Sequence, residues 1–426
     1  MMKRYIKQTW AMLKQHKLFG SLYIIGTAIP IALTMIVITF QYIRVGSIYP
    51  EEHRDELWCS ETIYNGKGAM GSLSLTAVNK WFYPLQSPKA VTAIHRAYPV
   101  LVQLPDGKSV LQVKTIATDA AFFQVFDFRF RSGKPFSESD FRNGKQCAVI
   151  SESLARRLFG DVQAVGRTVQ FNYADYVVSG VVRDVSSLTP RTFAQIYIPY
   201  TCLDENQDPS ALCGSYTVAI RVDRNKGQQM RTEFDEKFRK YQVATGDTSV
   251  VIEKPLPAWK YSAKDSGAGV LLVDGDDMVR KSLYLFGGLV LVFLLVPALN
   301  LSGMIAGRME DRLMEMGVYK AFGATRGYLL RQVLNENLIL TLMGGLAGLF
   351  LSWALLAWGK DWVFRFFSID YYLDNSDILV TVEMLFSPWI FLSAFLICVV
   401  LNLVSALFPV WHALRAEIVY SLNQKK

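Results

Sequence analysis

Long apolar runs alternate with mixed polar segments along this chain of 426 residues. Four runs contain no Lys, Arg, Asp or Glu, and they cover residues 18–43, 282–307, 337–359 and 384–414. Because about 20 consecutive apolar residues cross a bilayer as a helix, each run is long enough to span a membrane. The pattern predicts an α-helical membrane protein with four transmembrane helices, the last of them at 384–408.

The N-terminal region combines a basic segment with the first apolar run. A signal peptide has an apolar region of about 7–15 residues, whereas this run has 26, so we predict a retained span. In residues 1–17 apolar and basic side chains separate at helical spacing, which predicts an amphipathic helix in the headgroup layer. A short disordered basic tail is the alternative. The apolar side is formed by Met2, Ile6, Trp10 and Leu13.

Residues 44–281 are a large insertion between the first two spans. Five stretches have the composition of strands, and they are 109–117, 146–150, 176–185, 194–200 and 216–222. Two stretches have helical character, 151–159 and 226–241, with Ser151 as an N-cap. "DGK" at 106–108 and "NYAD" at 172–175 indicate hairpin turns. Short strands mixed with few helices predict a large α+β domain.

The net charge of +8 is distributed unevenly. Residues 1–17, 308–336 and 415–426 carry the whole excess of Lys and Arg, whereas charges cancel over 44–281 and 360–383 taken together. This is the positive-inside bias rather than a nucleic-acid patch. It predicts that both termini and the 308–336 loop are cytoplasmic. The predicted partner is a lipid bilayer, with no nucleic acid.

Five cysteines are few for a chain of this length. Cys398 lies in the fourth apolar run, and the other four lie in the predicted extracytoplasmic domain, where disulfides can persist. Cys202 and Cys213 bracket the polar stretch "CLDENQDPSALC". A local disulfide between them and two unpaired, half-buried thiols both fit this pattern.

Signatures of catalysis are missing from the sequence. There is no G-x-x-x-x-G-K-[ST], no H-E-x-x-H and no G-x-S-x-G. His53 in "EEHRDE" suggests a metal site at first sight, but a solvated charged segment next to the membrane fits better, and His95 stands alone in an apolar stretch. We therefore expect a non-catalytic chain with no cofactor or metal of its own.

Small and polar residues in the spans indicate helix packing. Residues with small side chains four apart let helices approach closely in lipid, and Asn can hydrogen-bond between helices. The predicted packing positions are Pro297, Asn300, Gly303 and Gly307 in the second span, and Gly344 and Gly348 in the third.

The segment 308–337, "RMEDRLMEMGVYKAFGATRGYLLRQVLNEN", resembles the cytoplasmic loop of FtsX/MacB-type ABC transporter permeases. The family pattern maps onto Arg308, Arg312, Glu315, Met316, Gly317, Ala321, Gly323, Ala324 and Thr325. Three further stretches resemble parts of the family. Residues 122–185 resemble the central part of its periplasmic domain, and "FAQIYIPY" resembles the closing strand of that domain. Residues 408–422 resemble the family's C-terminal sequence. The resemblance is poorest over 44–110.

The resemblance implies a mechanotransmission permease without a fused ATPase. Such permeases act as homodimers or heterodimers with a cytoplasmic ABC ATPase, which binds ATP and Mg²⁺ and docks on the 308–336 loop. The resemblance implies that ten residues of this loop couple the permease to the ATPase. They are Arg312, Glu315, Met316, Gly317, Lys320, Ala321, Phe322, Gly323, Ala324 and Thr325. From the residues themselves we predict that a rigid helix from Arg308 to Phe322 continues the second span into the cytoplasm. A left-handed Gly323 ends it, and Thr325 caps a helix that leads into the third span.

Several functions remain open within this reading. Export from the periplasm would involve a periplasmic adaptor and an outer-membrane channel. An FtsX-like regulator would bind a cell-wall hydrolase, and lipoprotein extraction is a further family task. A membrane receptor is a rival from another class, but it needs an output domain, which a 29-residue loop and a 12-residue tail are too short to supply.

Overall fold

A computed structural model describes residues 17–66, 70–104, 110–203, 210–265 and 321–359, with single residues and short stretches of helix elsewhere, mainly between 280 and 319 and between 392 and 410. The chain divides into two compact units. The helical unit contains Met1–Gln41, Tyr284–Ser368 and Thr381–Lys426. The β unit contains Tyr42–Leu283 and Ile369–Val380.

Two long apolar helices are described in full. Helix α1 covers Lys17–Val45, and helix α8 covers Arg326–Trp358. The ranges Gly20–Phe40 and Gly327–Trp358 contain 18-residue stretches with mean hydropathies of 2.2 and 2.0, and both ranges are long enough to cross a membrane. The predicted spans at 18–43 and 337–359 are therefore helical. The spans predicted at 282–307 and 384–408 lie largely outside the described residues, as do the N-terminal amphipathic helix, the 360–383 loop and the tail.

The β unit contains fourteen described strands. The first seven are β1 Leu57–Ser60, β2 Thr62–Tyr64, β3 Met70–Leu73, β4 Ala90–Gln103, β5 Val110–Thr118, β6 Phe130–Gly133 and β7 Cys147–Ser151. The others are β8 Thr168–Phe171, β9 Ala174–Val182, β10 Ile196–Pro199, β11 Cys213–Gly214, β12 Tyr216–Arg221, β13 Val251–Ile252 and β14 Leu256–Pro257.

Short helices connect these strands. They are α2 Leu75–Trp81, α3 Phe122–Val125, α4 Glu138–Arg142, α5 Glu152–Phe159, α6 Gly227–Thr245 and α7 Ala258–Asp265, with a 3₁₀ turn at Tyr200–Cys202. Ser151 caps α5 by accepting a bond from the Leu154 amide, and Gly160 ends the helix at a φ of +73°. Both residue types are typical of these positions, because Ser supplies an acceptor and Gly adopts left-handed angles at little cost.

Six strands close into a barrel within the β unit. The pairings run from β4 through β5, β10, β7, β9 and β8 and return to β4, where Val102 of β4 pairs with Phe171 of β8. Two pairings are parallel, β10 with β5 and β7 with β9, and the other four are antiparallel. The first half of β4 also pairs with β12, from which β3, β2 and β13 extend as an open sheet. Closure removes unpaired strand edges from this part of the sheet.

Two apolar clusters form the core of the β unit. The larger cluster joins barrel residues such as Val102, Ile150, Val169 and Ile196 to the helices α2 and α6, through Trp81, Phe82 and Phe234. The smaller one contains many aromatic side chains, including Phe122, Phe126, Phe136 and Tyr197. Burying a Phe or Leu side chain stabilises a fold by about 1.5–3 kcal/mol, so these clusters are the main source of stability of the unit.

The predicted elements of the insertion correspond to observed ones. The five predicted strands match β5, β7, β9, β10 and β12, and the two predicted helices match α5 and α6. The predicted turn at 172–175 is a hairpin turn in which Asn172 and Tyr173 have φ angles of +47° and +66°. The predicted turn at 106–108 lies outside the described residues. The other nine strands were not predicted individually, and they are β1 to β4, β6, β8, β11, β13 and β14.

Candidate functional site

The start of α8 is preceded by a sharply defined turn. Gly323 has a φ of +90°, and the Ala324 amide donates to the carbonyl of Tyr319 at 2.9 Å. This bond and a left-handed glycine form a Schellman motif, which satisfies carbonyls at the end of the preceding helix. A Cβ at Gly323 would meet no atom within 4 Å, so the glycine is required by its backbone angle and not by lack of space.

Thr325 then caps α8. It has extended backbone angles, and its side chain accepts a bond from the Tyr328 amide at 3.3 Å. From this cap the helix continues without a break to Trp358. The end of the 308–336 loop and the third apolar run therefore share one continuous helix, as the sequence predicts.

Exposed aromatic and aliphatic side chains surround this turn in the described chain. Phe322 is 88% exposed, and Tyr328 and Tyr319 are exposed by 53% and 42%. Val318 is exposed to a similar extent. We call these four residues the turn patch. Single exposed apolar residues are common, but a group of four around one turn is typical of an interaction site.

Sequence reasoning identified only part of the turn patch. Phe322 was predicted, whereas Val318, Tyr319 and Tyr328 were not, although their spacing around the Gly323 turn could have indicated them. Of the predicted coupling residues, Ala321, Phe322, Gly323, Ala324 and Thr325 lie together at the turn. The other five lie outside the described residues, and they are Arg312, Glu315, Met316, Gly317 and Lys320.

Two of the predicted packing glycines bring α8 against α1 in the helical unit. A Cβ at Gly348 would lie 2.6 Å from the backbone oxygen of Ala28, and one at Gly344 would overlap the side chain of Thr27. Only glycine permits so close an approach of two helices. The hydroxyls of Tyr23 and Thr341 are 3.1 Å apart and add a hydrogen bond between the same helices.

The remaining predicted packing positions are placed differently. Gly303 and Gly307 are helical, but a Cβ at either would meet no atom within 4 Å in the part of the chain that is described. Pro297 and Asn300 lie outside that part.

Of the two arrangements left open for Cys202 and Cys213, the structure has the two thiols and not the disulfide. The sulfur of Cys202 is 3.5 Å from the carbonyl oxygen of Lys145, whereas that of Cys213 is 3.8 Å from the carbonyl oxygen of Ile63. The Cys202 sulfur thus contacts the loop before β7, whereas the Cys213 sulfur contacts strand β2, which sequence spacing alone does not reveal. Burial raises the pKa of Cys59 to about 11 and that of Cys147 to about 12, so these two thiols are unreactive at neutral pH.

The sequence suggested that the charged stretch at 51–56 is solvated. In the structure its side chains form ion pairs instead. Each of its side chains is bonded within the β unit. His53 is 2.6 Å from Asp127, and the other pairs are Glu51–Arg54, Glu52–Arg129, Asp55–Arg224 and Glu56–Arg221. No group of three or more metal-ligating side chains occurs among the described residues. The stretch therefore fastens the segment that follows α1 to the β unit.

Two apolar helices long enough to cross a membrane, a large domain of strands and helices, and an exposed turn before one of these helices fit a membrane protein of the permease class. Family models support this in two parts. A MacB-like periplasmic core domain matches residues 22–236, and an FtsX-like permease C-terminal domain matches residues 287–418. The chain belongs to the MacB/FtsX family of ABC transporter permeases.

Relatives of known name agree with this assignment. The ABC transporter permease YknZ of Bacillus subtilis (strain 168) is 23% identical over 228 residues, which are 54% of this chain and 53% of YknZ. The macrolide export ATP-binding/permease protein MacB of Neisseria meningitidis is 24% identical over 260 residues, which are 61% of this chain and 37% of MacB. The chain thus spans about half or less of the length of these relatives.

The periplasmic region of MacB from Actinobacillus actinomycetemcomitans is similar at 16% identity and a TM-score of 0.37, over 50% of this chain and 94% of that one. A similarity of that size carries no argument about function.

Proposed function

We propose that this chain is the membrane subunit of an ABC transporter, and that it couples ATP hydrolysis by a separate ATPase subunit to movement of its periplasmic domain. The observation that supports the proposal most directly is the turn patch, an exposed apolar surface attached to a capped, continuous helix. A partner bound at the turn would push on a helix of 33 residues. Such a helix is about 50 Å long and transmits displacement along its axis.

The proposal assigns separate roles to the side chains and to the backbone of the turn. The aromatic side chains of the turn patch bind the ATPase, since aromatic anchors contribute much of the binding energy at protein interfaces. The Gly323 turn and the Thr325 cap fix the direction in which α8 leaves the site. The ATPase supplies ATP and Mg²⁺, and we expect the permease to act as a dimer, homomeric or heteromeric.

We also propose that the transported substrate is taken from the periplasm and exported. This is supported by the names of the MacB relatives, which describe macrolide export for those proteins. An adaptor and an outer-membrane channel would then be further partners. Purification of the complex with its neighbours tests this part, since an isolated channel or adaptor would support it and a bound cell-wall hydrolase would contradict it.

The variant Phe322→Ala tests binding at the turn. Loss of a central aromatic anchor commonly costs more than about 2 kcal/mol, so the ATPase should bind at least about tenfold more weakly. The affinity is measured by titrating the purified ATPase onto the detergent-solubilised full chain. Trp358→Ala is the matched control, because Trp358 is equally exposed at 88% but lies at the other end of α8. Equal affinity in both variants would contradict the proposal.

The variant Gly323→Val tests the backbone role in the same system. A β-branched residue resists left-handed angles, so the turn should distort while the turn patch remains. We expect the ATPase to stay bound and the ATP-dependent cross-linking between periplasmic domains to be lost. Normal cross-linking in this variant would show that the turn does not direct the movement.

A further inference from the structure

Glu51 is a buried carboxylate that bridges two buried arginines of the β unit. Its Oε2 lies 2.7 Å from Nε of Arg54 and 3.5 Å from Nη1 of Arg191. Thr192 donates a further hydrogen bond to Oε1 at 3.3 Å. The side chains of Glu51, Arg54 and Arg191 are exposed by 0%, 3% and 8%. Because buried charges persist only when paired and hydrogen-bonded, these groups hold one another in place.

Arg54 connects this network to the end of α1. Its Nη1 donates to the carbonyl oxygens of Ile43, at 2.6 Å, and Gly46, at 2.8 Å. The last carbonyls of a helix lack partners within the helix and carry a partial negative charge, which a cation stabilises. The last turn of α1 is therefore held by a guanidinium that is itself fixed by Glu51.

Arg191 connects the other side of the network to α7. Its Nη2 donates to Oγ of Ser262 at 3.1 Å, and its guanidinium lies 4.7 Å from the centre of the Tyr261 ring. The Tyr261 hydroxyl also donates to Glu61 beside β1. Helix α7 is the last described element before the apolar run at 282–307 in the sequence. The network thus contacts the last turn of α1, where the chain begins the β unit, and helix α7, which lies near the C-terminal end of that unit's main segment.

We infer that Glu51, Arg54 and Arg191 form a rigid joint that keeps the last turn of α1 and helix α7 at a fixed separation. A displacement of this last turn is then passed to α7, and a displacement of α7 is passed to this last turn. The inference rests on the proposed function for the source of that displacement. The three residues are positioning residues. A role in stability alone would leave the separation in the folded chain unchanged when one of them is replaced.

The test is a distance measurement by pulsed electron paramagnetic resonance. Spin labels are placed at Val45 and Trp259, which are both 39% exposed, in the full chain with Cys202, Cys213 and Cys398 replaced by alanine. The variant Arg191→Met leaves Glu51 paired with Arg54 but removes the contacts to α7. We expect the distance distribution to become at least twice as wide. The control is Arg129→Met, which removes the more exposed pair with Glu52 and should leave the width unchanged.

An unchanged width in folded Arg191→Met would overturn the inference. If that variant does not fold, Ser262→Ala replaces it, because this change removes one hydrogen bond and no charge. Its distribution should be wider than that of the control, and equal widths would overturn the inference. The measurement needs neither ATP nor the ATPase. Its failure is therefore distinguishable from failure of the proposed function, which the Phe322→Ala and Gly323→Val variants report.

Discussion

Buried charge in the β unit shows how single residues take roles that their type alone does not predict. Burial opposes ionisation of Glu51, but Arg54, Arg191 and the hydrogen bond from Thr192 outweigh it and hold the pKa of this carboxyl below its usual value of 4.5. Asp119 is also buried, and there desolvation raises the pKa even though Tyr83, Thr92 and two amides donate to the carboxylate. The difference is that only Glu51 has cationic partners.

The lowered pKa of Glu51 predicts a dependence of stability on pH. A carboxyl with a lowered folded-state pKa contributes stability that is present above its unfolded pKa and is lost as pH falls through the folded value. Glu51→Gln should therefore lower the free energy of unfolding at pH 7, by about 3–5 kcal/mol for a buried pair that loses one partner. The difference between wild type and variant should narrow as pH falls below 4.5.

Melting of both full chains between pH 7 and pH 3 measures that difference. Asp140→Asn is a control of the same kind at a partly exposed site, where hydrogen bonds from Ser137, chiefly from its side chain, and one from Lys145 lower the pKa to about 2. That substitution should change stability much less, because exposed pairs contribute little. A Glu51→Gln effect that stays constant with pH would show that the carboxylate is not ionised in the folded chain.

At the scale of elements, α8 carries two features in different parts of its sequence, an exposed capped start and a face that packs closely on α1. Its first turns carry the cap and part of the turn patch, and its later turns carry the glycines that contact α1. One helix can do both because it is continuous and its polar start is capped. The surroundings of its glycines differ along the helix, since an added Cβ at Gly327 would meet open space and one at Gly348 would meet a backbone oxygen.

Gly348→Ala and Gly327→Ala are a matched pair on this helix. An added Cβ at 348 would lie 2.6 Å from the backbone oxygen of Ala28, so α1 and α8 must move apart, at a cost of about 1–3 kcal/mol. At 327 alanine should be neutral or stabilise by up to about 1 kcal/mol, because it is the better helix former. Thermal unfolding in detergent compares them, and equal midpoints would contradict the close packing of α1 on α8.

At the scale of the whole molecule, the charge distribution predicts which segments face the cytoplasm. The basic excess lies in the segments 1–17, 308–336 and 415–426, while the β unit falls within a segment of nearly balanced charge. Orientation in a membrane follows the Lys and Arg of short loops. The periplasmic core domain of the family is consistent with a β unit outside the cytoplasm.

Single-cysteine labelling with an impermeant reagent tests the orientation. Val243 and Phe322 are suitable positions, because both side chains are exposed, by 79% and 88%, whereas Met230 is fully buried and would give no signal. In intact cells with a permeable outer membrane, a cysteine at 243 should be labelled, and one at 322 only after lysis. The opposite order would reverse the predicted topology.

The sequence by itself determined the features that depend on neighbours along the chain. Apolar run length predicted the helices α1 and α8, and the residue types of Ser151, Gly323 and Thr325 predicted the start of α5 and the turn before α8. Each of these is decided by backbone angles or hydrogen bonds within about four residues, so local sequence contains the necessary information.

Tertiary structure alone decided which distant groups meet. Glu51 pairs with Arg191 across 140 positions of sequence, and closure of the barrel through β4 and β8 joins Val102 to Phe171. The spacing of Cys202 and Cys213 left a disulfide and two thiols both open, and in the folded chain both are thiols, one beside the loop before β7 and the other beside β2. Such contacts depend on the packing of the whole sheet, which local propensity does not encode.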